Sequence, residues 1–340
     1  MSHSIGTPRP LPRMCFVMIS LALALLLPGS AAAQSSNSDR DETQGPANPS
    51  WTGSDSLQKS ADQSWKTAAF TGYEFQGETD LDGSGDFKYW MISGGVNSAR
   101  MIGDNTKIAL KGDYRAVGYD FDGISPFPDP WETVHVLRLN PLFTYLINDT
   151  WSVIGGPIVE FSGEENADFA DSLRGGGLIG VGFTRGKLYL AGGVLAMSEI
   201  EKDARIQPFV IVHWNIVGGL TLGLKGDTSR GGEFRLDYAF NDRFTLGAGI
   251  GVRRELFRLN GDGPGSPLPA TSRQDGVGEE TSTVAKITAI FKINDMLTIE
   301  GYGGVTVDGE FRLEDNDGNK IVLSDYDDSG FGGVNLRFSF

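Results

Sequence analysis

Apolar and polar residues alternate with a period of two along much of this chain. From Phe244 to Val252 every second residue is apolar, with glycine or threonine between. From Gly232 to Phe240 the second face carries charged residues instead. No long stretch keeps the apolar spacing of a helix. The pattern predicts an all-β domain, although a soluble sandwich and a membrane barrel share this alternation.

The connections between the predicted strands fall into two length classes. Asn148–Thr150, Asn241–Arg243 and Asn294–Met296 are short and begin with Asn-Asp, residues that tolerate the left-handed backbone of tight hairpins. The longer polar connections are 78–86, 120–132, 164–174, 199–205, 260–281 and 314–328. The two classes largely alternate, which in an up-and-down barrel puts short turns at one rim and long loops at the other, as in outer-membrane barrels.

The apolar runs predict about fourteen strands, with twelve as the alternative because the second, third and ninth runs are weak. They lie near 67–77, 86–98, 105–120, 133–147, 151–163, 175–185, 187–198, 205–214, 219–226, 231–240, 243–258, 281–293, 296–312 and 329–340. We therefore predict an antiparallel up-and-down transmembrane β-barrel over 65–340. An even count returns both ends of the domain to the short-turn rim.

The first 33 residues have the features of a cleaved signal peptide. Basic residues precede an apolar run, Met14–Leu27, which is followed by the small residues Ala31–Ala33. A membrane anchor is the alternative, but the run is too short to span a bilayer. Cys15 opens the apolar run instead of following it, which argues against a lipoprotein and leaves the mature chain without cysteine. Residues 34–64 are polar and predict a flexible periplasmic leader.

The charge balance limits the partners. The sequence has 29 basic and 44 acidic residues, and loss of the two arginines of the signal leaves 27 against 44, a net charge of −17. Nucleic acid is a poor partner for such a surface. No mature segment is apolar for long enough to form a transmembrane helix, so a membrane protein with this sequence must be a closed barrel. We expect it in the outer membrane, in contact with lipid and lipopolysaccharide.

The final strand carries a further signal. Val334, Leu336, Phe338 and Phe340 share one face. The aromatic pair Phe338 and Phe340 resembles the C-terminal signal that the barrel-assembly machinery recognises, although Asn335 stands where glycine is frequent. An edge strand that happens to end in phenylalanine is the alternative.

The Asn-Asp hairpins, the alternation and the aromatic final strand together resemble the uncharacterised outer-membrane β-barrel families catalogued as domain of unknown function 6268. The resemblance covers Trp65–Phe340. It implies location and architecture, and no reaction.

The face opposite the apolar one would line the lumen of such a barrel. It carries Lys107, Lys111, Asp113, Arg115, Arg138, Glu160, Glu233, Arg235, Asp237, Arg253, Glu255, Glu300 and Arg337. Opposed charges in a water-filled pore would sort small polar solutes. Alternatively, they pair with each other in a closed network without flux. Fourteen strands make a wider barrel than the eight that side chains can fill, which favours the channel. A non-conducting structural or surface-binding barrel remains the alternative.

Catalytic and metal-binding motifs are sparse. The mature sequence holds two histidines, His135 and His213, and has neither a Gly-x-Ser-x-Gly nor a His-Glu-x-x-His motif. We therefore predict no enzyme and no cofactor, with a lipid-modifying enzyme as the third alternative. Asp80–Asp86 and Asp315–Asn319 resemble calcium loops but lack the terminal bidentate glutamate. We interpret both as solvated turns and predict no metal site.

Overall fold

The computed structural model describes residues 64–82, 85–123, 130–227, 231–260, 276–315 and 319–340. The predicted signal peptide and all but the last residue of the predicted leader lie outside these ranges. The strands are β1 (Lys66–Asp80), β2 (Asp86–Ile102), β3 (Thr106–Asp122), β4 (Thr133–Leu146), β5 (Trp151–Glu164), β6 (Leu173–Arg185), β7 (Leu188–Glu199), β8 (Lys202–Val217), β9 (Leu220–Asp227), β10 (Gly231–Ala239), β11 (Phe244–Arg258), β12 (Val277–Lys292), β13 (Leu297–Glu314), β14 (Lys320–Tyr326) and β15 (Ser329–Ser339). Among the described residues, no helix is long and apolar enough to cross a membrane.

The strands close into a ring. Each strand from β1 to β13 pairs antiparallel with the next, and β15 pairs with both β13 and β1. The segments β14 and β15 lie one after the other along β13: β14 pairs with Gly309–Glu314 and β15 with Leu297–Thr306. They therefore share one place in the wall. The ring has fourteen strand positions, which confirms the predicted antiparallel barrel and its larger strand count.

The three Asn-Asp hairpins share one turn geometry. The side-chain Oδ1 of Asn148 accepts hydrogen bonds from the backbone N–H groups of Thr150 and Trp151, both at 2.9 Å. Asn241 and Asn294 accept the same two bonds from the residues two and three positions later. Each asparagine thus satisfies donors that a two-strand ladder cannot reach, which is why this residue recurs at the short-turn rim.

Two of the predicted long loops are wrong. Residues 199–205 form a two-residue turn, Ile200 and Glu201, in which Glu201 adopts a φ of +58°. Within 314–328, Lys320–Tyr326 form β14, because β13 continues to Glu314 and offers its backbone as a partner. These paired strand ends are polar on both faces. Their sequence therefore shows no apolar alternation and has the pattern of a loop.

The two faces of the wall have opposite polarity. Ile287 is 63% exposed, whereas the next residue, Thr288, is 1% exposed and faces the interior. The same alternation holds around the ring, so large apolar side chains form an outward belt and polar groups are enclosed. This is the reverse of a soluble sandwich and the arrangement expected for a barrel in lipid.

Glycines on the inner face of β6 make room for a packed apolar surface. A Cβ on Gly180 would lie 2.6 Å from Cζ of Phe209, and one on Gly176 would lie 2.7 Å from Sδ of Met197. Side chains from β7 and β8 therefore lie over β6. The resulting inner apolar wall consists of Ile154, Ile158, Tyr189, Ala191, Leu195, Met197, Phe209 and Ile211.

Candidate functional site in the barrel interior

The structure places all thirteen predicted lumen charges at inward positions, where each is buried or half-buried. Several are paired along the wall formed by β10 to β13. Arg235 lies 2.7 Å from Asp237 and 3.7 Å from Glu300. Glu233 lies 2.8 Å from Lys286 on β12. This wall is polar but locally neutralised, unlike the inner apolar wall.

A second group of charges lies on β4, β5 and β6. Glu160 lies between two arginines, 3.8 Å from Arg138 and 3.0 Å from Arg174, and all three are buried. Pairing offsets the desolvation cost that each buried charge would have alone. Arg174 was missed at the sequence level, because the preceding polar segment made it look like the end of a loop.

Glu74 on β1 is the centre of a network that sequence reasoning also missed. Its carboxylate lies 2.8 Å from the Arg253 guanidinium and accepts hydrogen bonds from the hydroxyls of Tyr89, at 2.6 Å, and Tyr302, at 2.9 Å. Arg253 also donates to the Tyr89 hydroxyl. The alternation of Glu74 with outward Tyr73 was a usable signal for its inward direction. Its partners were not readable, because they come from distant strands.

The upper parts of β11 and β12 reach across the long-loop end of the interior, while β12 stays paired with β13 as far as Glu314. We call Arg253–Arg258 with Val277–Ser282 the mouth hairpin. Arg115 on β3 lies 2.5 Å from Glu255 on β11, although these strands are six positions apart in the ring of fourteen. Two positions further round the ring, the Ser162 hydroxyl of β5 donates to the carbonyl of Leu256 at 2.7 Å. The mouth hairpin thus contacts the wall opposite its own strands.

One face of the mouth hairpin is covered by aromatic residues. Phe257 is fully buried, and its ring centroid lies 5.2 Å from that of Trp131, which lies 5.2 Å from Phe311. Beside them, Glu280 accepts hydrogen bonds from Tyr119 at 2.5 Å and Tyr326 at 3.0 Å. The aromatic plug consists of Leu81, Phe87, Tyr89, Val117, Tyr119, Phe121, Trp131, Val134, Val136, Phe257, Leu259, Phe311, Leu313 and Tyr326.

The other face of the mouth hairpin contacts the β7–β8 tip. Leu256 packs with Ile200 of that tip and with Val277. Arg254 lies 3.3 Å from Glu199, and Arg258 forms an ion pair with Glu201. The mouth hairpin is therefore held between two halves of the barrel, and with the aromatic plug it fills the long-loop mouth.

The two histidines lie on different strands and faces. The Nδ1 atom of His135 on β4 lies 2.8 Å from the Tyr114 hydroxyl, at an outward position. His213 on β8 pairs with Tyr189 and faces inward. Within the described ranges, no group of three or more His, Cys, Asp or Glu side chains is arranged to hold a metal ion. Parts of both acidic motifs, residues 83–84 and 316–318, lie outside those ranges.

Comparison with known proteins gives likenesses of fold. No family model matches the chain and no curated protein matches it, so the resemblance to domain of unknown function 6268 is not confirmed. A FadL homologue from Pseudomonas aeruginosa is 11% identical, with 81% of this chain and 90% of that chain covered and a TM-score of 0.46. An outer-membrane channel from Pseudomonas putida F1 is 13% identical, with 84% and 99% covered and a TM-score of 0.43. The translocator domain of the autotransporter NalP from Neisseria meningitidis is 14% identical, with 84% and 91% covered and a TM-score of 0.36.

The outward surface of the barrel is suited to a lipid bilayer. Aromatic side chains are exposed at the short-turn end, including Tyr145, Trp151 and Trp214, and large aliphatic side chains are exposed above them. An apolar belt with interfacial aromatics is the surface that lipid requires, and a closed ring leaves no unpaired wall seam at β1 and β15. The protein is an outer-membrane β-barrel.

Proposed function

We propose that this barrel is a channel for small solutes that is closed at its long-loop mouth in the present state. The observation that carries the proposal is the mouth hairpin, because it crosses the interior through side-chain contacts to β3, β5 and β7 while the ring below it stays closed by backbone pairing. The inward charges would line the path below it. Near the short-turn end these charges are more accessible, as at Lys111, whose side chain is 32% exposed.

In this proposal, passage requires the mouth hairpin to leave the mouth. Its contacts to β3, β5 and β7 include the Arg115–Glu255 ion pair, the Ser162–Leu256 hydrogen bond and the Glu199–Arg254 ion pair. A backbone bridge also joins Gly163 of β5 to Arg258. Polar contacts of this kind can be exchanged for water, whereas backbone pairing around the ring cannot be lost in lipid. Displacement of the mouth hairpin therefore requires the loss of these polar contacts and leaves the pairing of the ring below Arg253 in place.

A non-conducting barrel is the second candidate, and the aromatic plug favours it. The buried rings around Trp131 and Phe257 would be exposed to water if the mouth opened, at a cost that grows with the apolar area exposed. A protein whose closed state is always populated would act through its surface instead.

A reversible lock tests the channel. Gly163 and Arg258 are backbone partners in a bridge between β5 and β11, so Gly163→Cys with Arg258→Cys puts two thiols at adjacent backbone positions. The Ser172 hydroxyl, 2.6 Å from a Cβ at position 163, must rotate away to admit the new side chain. Because the mature chain has no cysteine, this pair would be its only thiols. We expect planar-bilayer currents to disappear on oxidation and return on reduction, with Gly163→Cys alone unaffected. The proposal would be contradicted if the current persisted after oxidation of the cysteine pair, or if no form of the protein gave a current at any voltage.

We further propose that outer-membrane lipid and the barrel-assembly machinery are partners, the latter through Phe338 and Phe340. The side chains of Phe338 on β15 and of Phe340, directly after it, are exposed next to the seam with β1, where the Phe340 N–H donates to the Thr67 carbonyl at 2.8 Å. Phe340→Ala should lower the yield of folded barrel in cells several-fold, measured by heat-modifiable gel mobility. Phe240→Ala, an outward aromatic away from the seam, is the control. Equal yields for both variants would remove the assembly role.

A further inference from the structure

The mouth hairpin carries a buried carboxyl group, Glu280, whose direct partners are neutral. Glu280 is 2% exposed and lies beside the aromatic plug. Its Oε2 atom accepts a hydrogen bond from Tyr119 at 2.5 Å, and its Oε1 atom accepts one from Tyr326 at 3.0 Å. Among the described residues, no arginine or lysine forms an ion pair with it. A carboxylate at this place has no directly paired cation to offset its desolvation.

A second carboxyl group lies directly opposite Glu280 on the neighbouring strand. Glu255 and Glu280 are backbone partners in β11 and β12, and both are buried on the inward face. Glu255 has its own cation, because the guanidinium of Arg115 approaches it at 2.5 Å and 3.1 Å. Like charges at directly opposite positions of a sheet repel each other. Ionisation of Glu280 would therefore place a second negative charge beside one that is already paired.

The charges around Glu280 do not balance when Glu280 is ionised. Arg115 of β3 is paired with Glu255. Arg253 of β11 is paired with Glu74 of β1 at 2.8 Å. Among the described residues, the other titratable groups that face this cluster are tyrosine hydroxyls of β2, β3, β13 and β14, namely Tyr89, Tyr119, Tyr302 and Tyr326. The described part of the cluster thus has three carboxyl groups and two guanidinium groups. A buried carboxyl group without its own cation takes up a proton, because the neutral form costs less to desolvate.

The two tyrosines do not replace the missing cation. Hydrogen bonds from Tyr119 and Tyr326 stabilise an ionised Glu280, but a hydroxyl oxygen can also accept a hydrogen bond from a protonated carboxyl group. The same two contacts therefore serve the neutral form. Both tyrosine rings also pack against Phe311, so the carboxyl group lies in a largely apolar shell.

We propose that Glu280 holds a proton while the mouth is closed and releases it when the mouth opens, so that the channel opens as the pH rises. This rests on the proposed function in one respect, namely that opening displaces the mouth hairpin. In the open state, water reaches the carboxyl group, which then ionises as an ordinary glutamate does. Because the closed state binds one proton more than the open state, a higher pH favours the open state by mass action.

The pH dependence of the current tests the switch on the unmodified protein. Release of one proton can change the ratio of open to closed molecules by up to about tenfold per pH unit. At a fixed voltage in planar bilayers, we expect the current to rise about fivefold or more from about pH 6 to about pH 9. A current that falls over this range, or that does not change, would contradict the proposal.

Substitution of the carboxyl group assigns the switch to one residue. Glu280→Gln keeps the shape of the protonated form and has no proton to release, so its current should stay at the low level of the acid form throughout. The matched control is Glu314→Gln, a glutamate that is 5% exposed and whose carboxylate lies 2.6 Å from the Lys202 ammonium. This variant should retain the rise, and both variants must show heat-modifiable mobility. A full rise in Glu280→Gln would remove Glu280 from the switch.

Infrared spectroscopy tests the proton without any current. An ordinary glutamate is ionised at neutral pH, so a carboxylic-acid carbonyl band at about pH 7 reports a retained proton. We expect such a band in the folded intact protein and in Glu314→Gln, with its intensity reduced in Glu280→Gln. Equal bands in all three forms would overturn the proposal.

The switch and the channel can fail separately. A Glu280 band without current in any form would keep the proton on Glu280 and remove the channel. Current that responds to the cysteine lock but not to pH, without a Glu280 band, would keep the channel and remove the switch.

Discussion

Removal of the mouth hairpin should open the long-loop mouth. Arg253 and Ser282 are backbone partners, so an Asn-Gly turn between them can replace 254–281 and close the shortened β11–β12 hairpin. The deletion removes Glu255 and Phe257, and with them the contacts to Arg115 and Trp131. We expect steady single-channel currents at least an order of magnitude above those of the intact protein in planar bilayers.

The matched control deletes 262–274 and keeps the mouth hairpin. This variant loses 13 residues between β11 and β12, against 28 in the hairpin deletion, and Leu259 still donates its N–H to the Gly276 carbonyl. Its currents should equal those of the intact protein. Both variants must show heat-modifiable mobility, which verifies the folded ring. If the hairpin deletion gave no current above that of the intact protein, the barrier to ion flow would lie elsewhere in the barrel.

Truncation of Trp131 should give the largest loss of stability of any single substitution considered. Its side chain is 2% exposed and packs edge-on against Phe257 and Phe311, with centroids 5.2 Å apart in each pair. Replacing such a ring by alanine leaves a cavity that the fixed barrel cannot collapse around. We expect Trp131→Ala to lower the free energy of unfolding by about 3–5 kcal/mol, measured by denaturant titration in vesicles.

Two variants control this measurement. Trp131→Phe keeps an aromatic ring in the plug and should lose less than half as much stability. Trp214→Ala removes an outward ring that is 43% exposed, and its loss should also be clearly smaller. If Trp131→Ala and Trp214→Ala cost the same, the plug would contribute no more than an ordinary lipid contact.

The sequence predicted which way the charged side chains of the candidate site point, but not which residues they contact. Alternation placed Arg115 and Glu255 on the inward face, since each is flanked by residues of the opposite face. Their contact across the barrel was not predictable, because it depends on the mouth hairpin reaching across the interior. The favoured interpretation of these charges as the lining of an open pore did not anticipate a filled mouth.

The sequence by itself determined the all-β class, the Asn-Asp turns and the inward or outward direction of most side chains, and it favoured fourteen strands over twelve. These features depend on neighbours within a strand or hairpin, and a period of two records them directly. Only the tertiary structure decided that upper β11 contacts β3, β5 and the β7–β8 tip, and that pairing of β8 with β9 stops at Ile211. The run at 219–226 was visibly short, but its consequence depends on the register of β8 against β9 and on how far its neighbours rise. Cross-barrel contacts depend on relative strand heights around a closed ring, and no local pattern of residues encodes them.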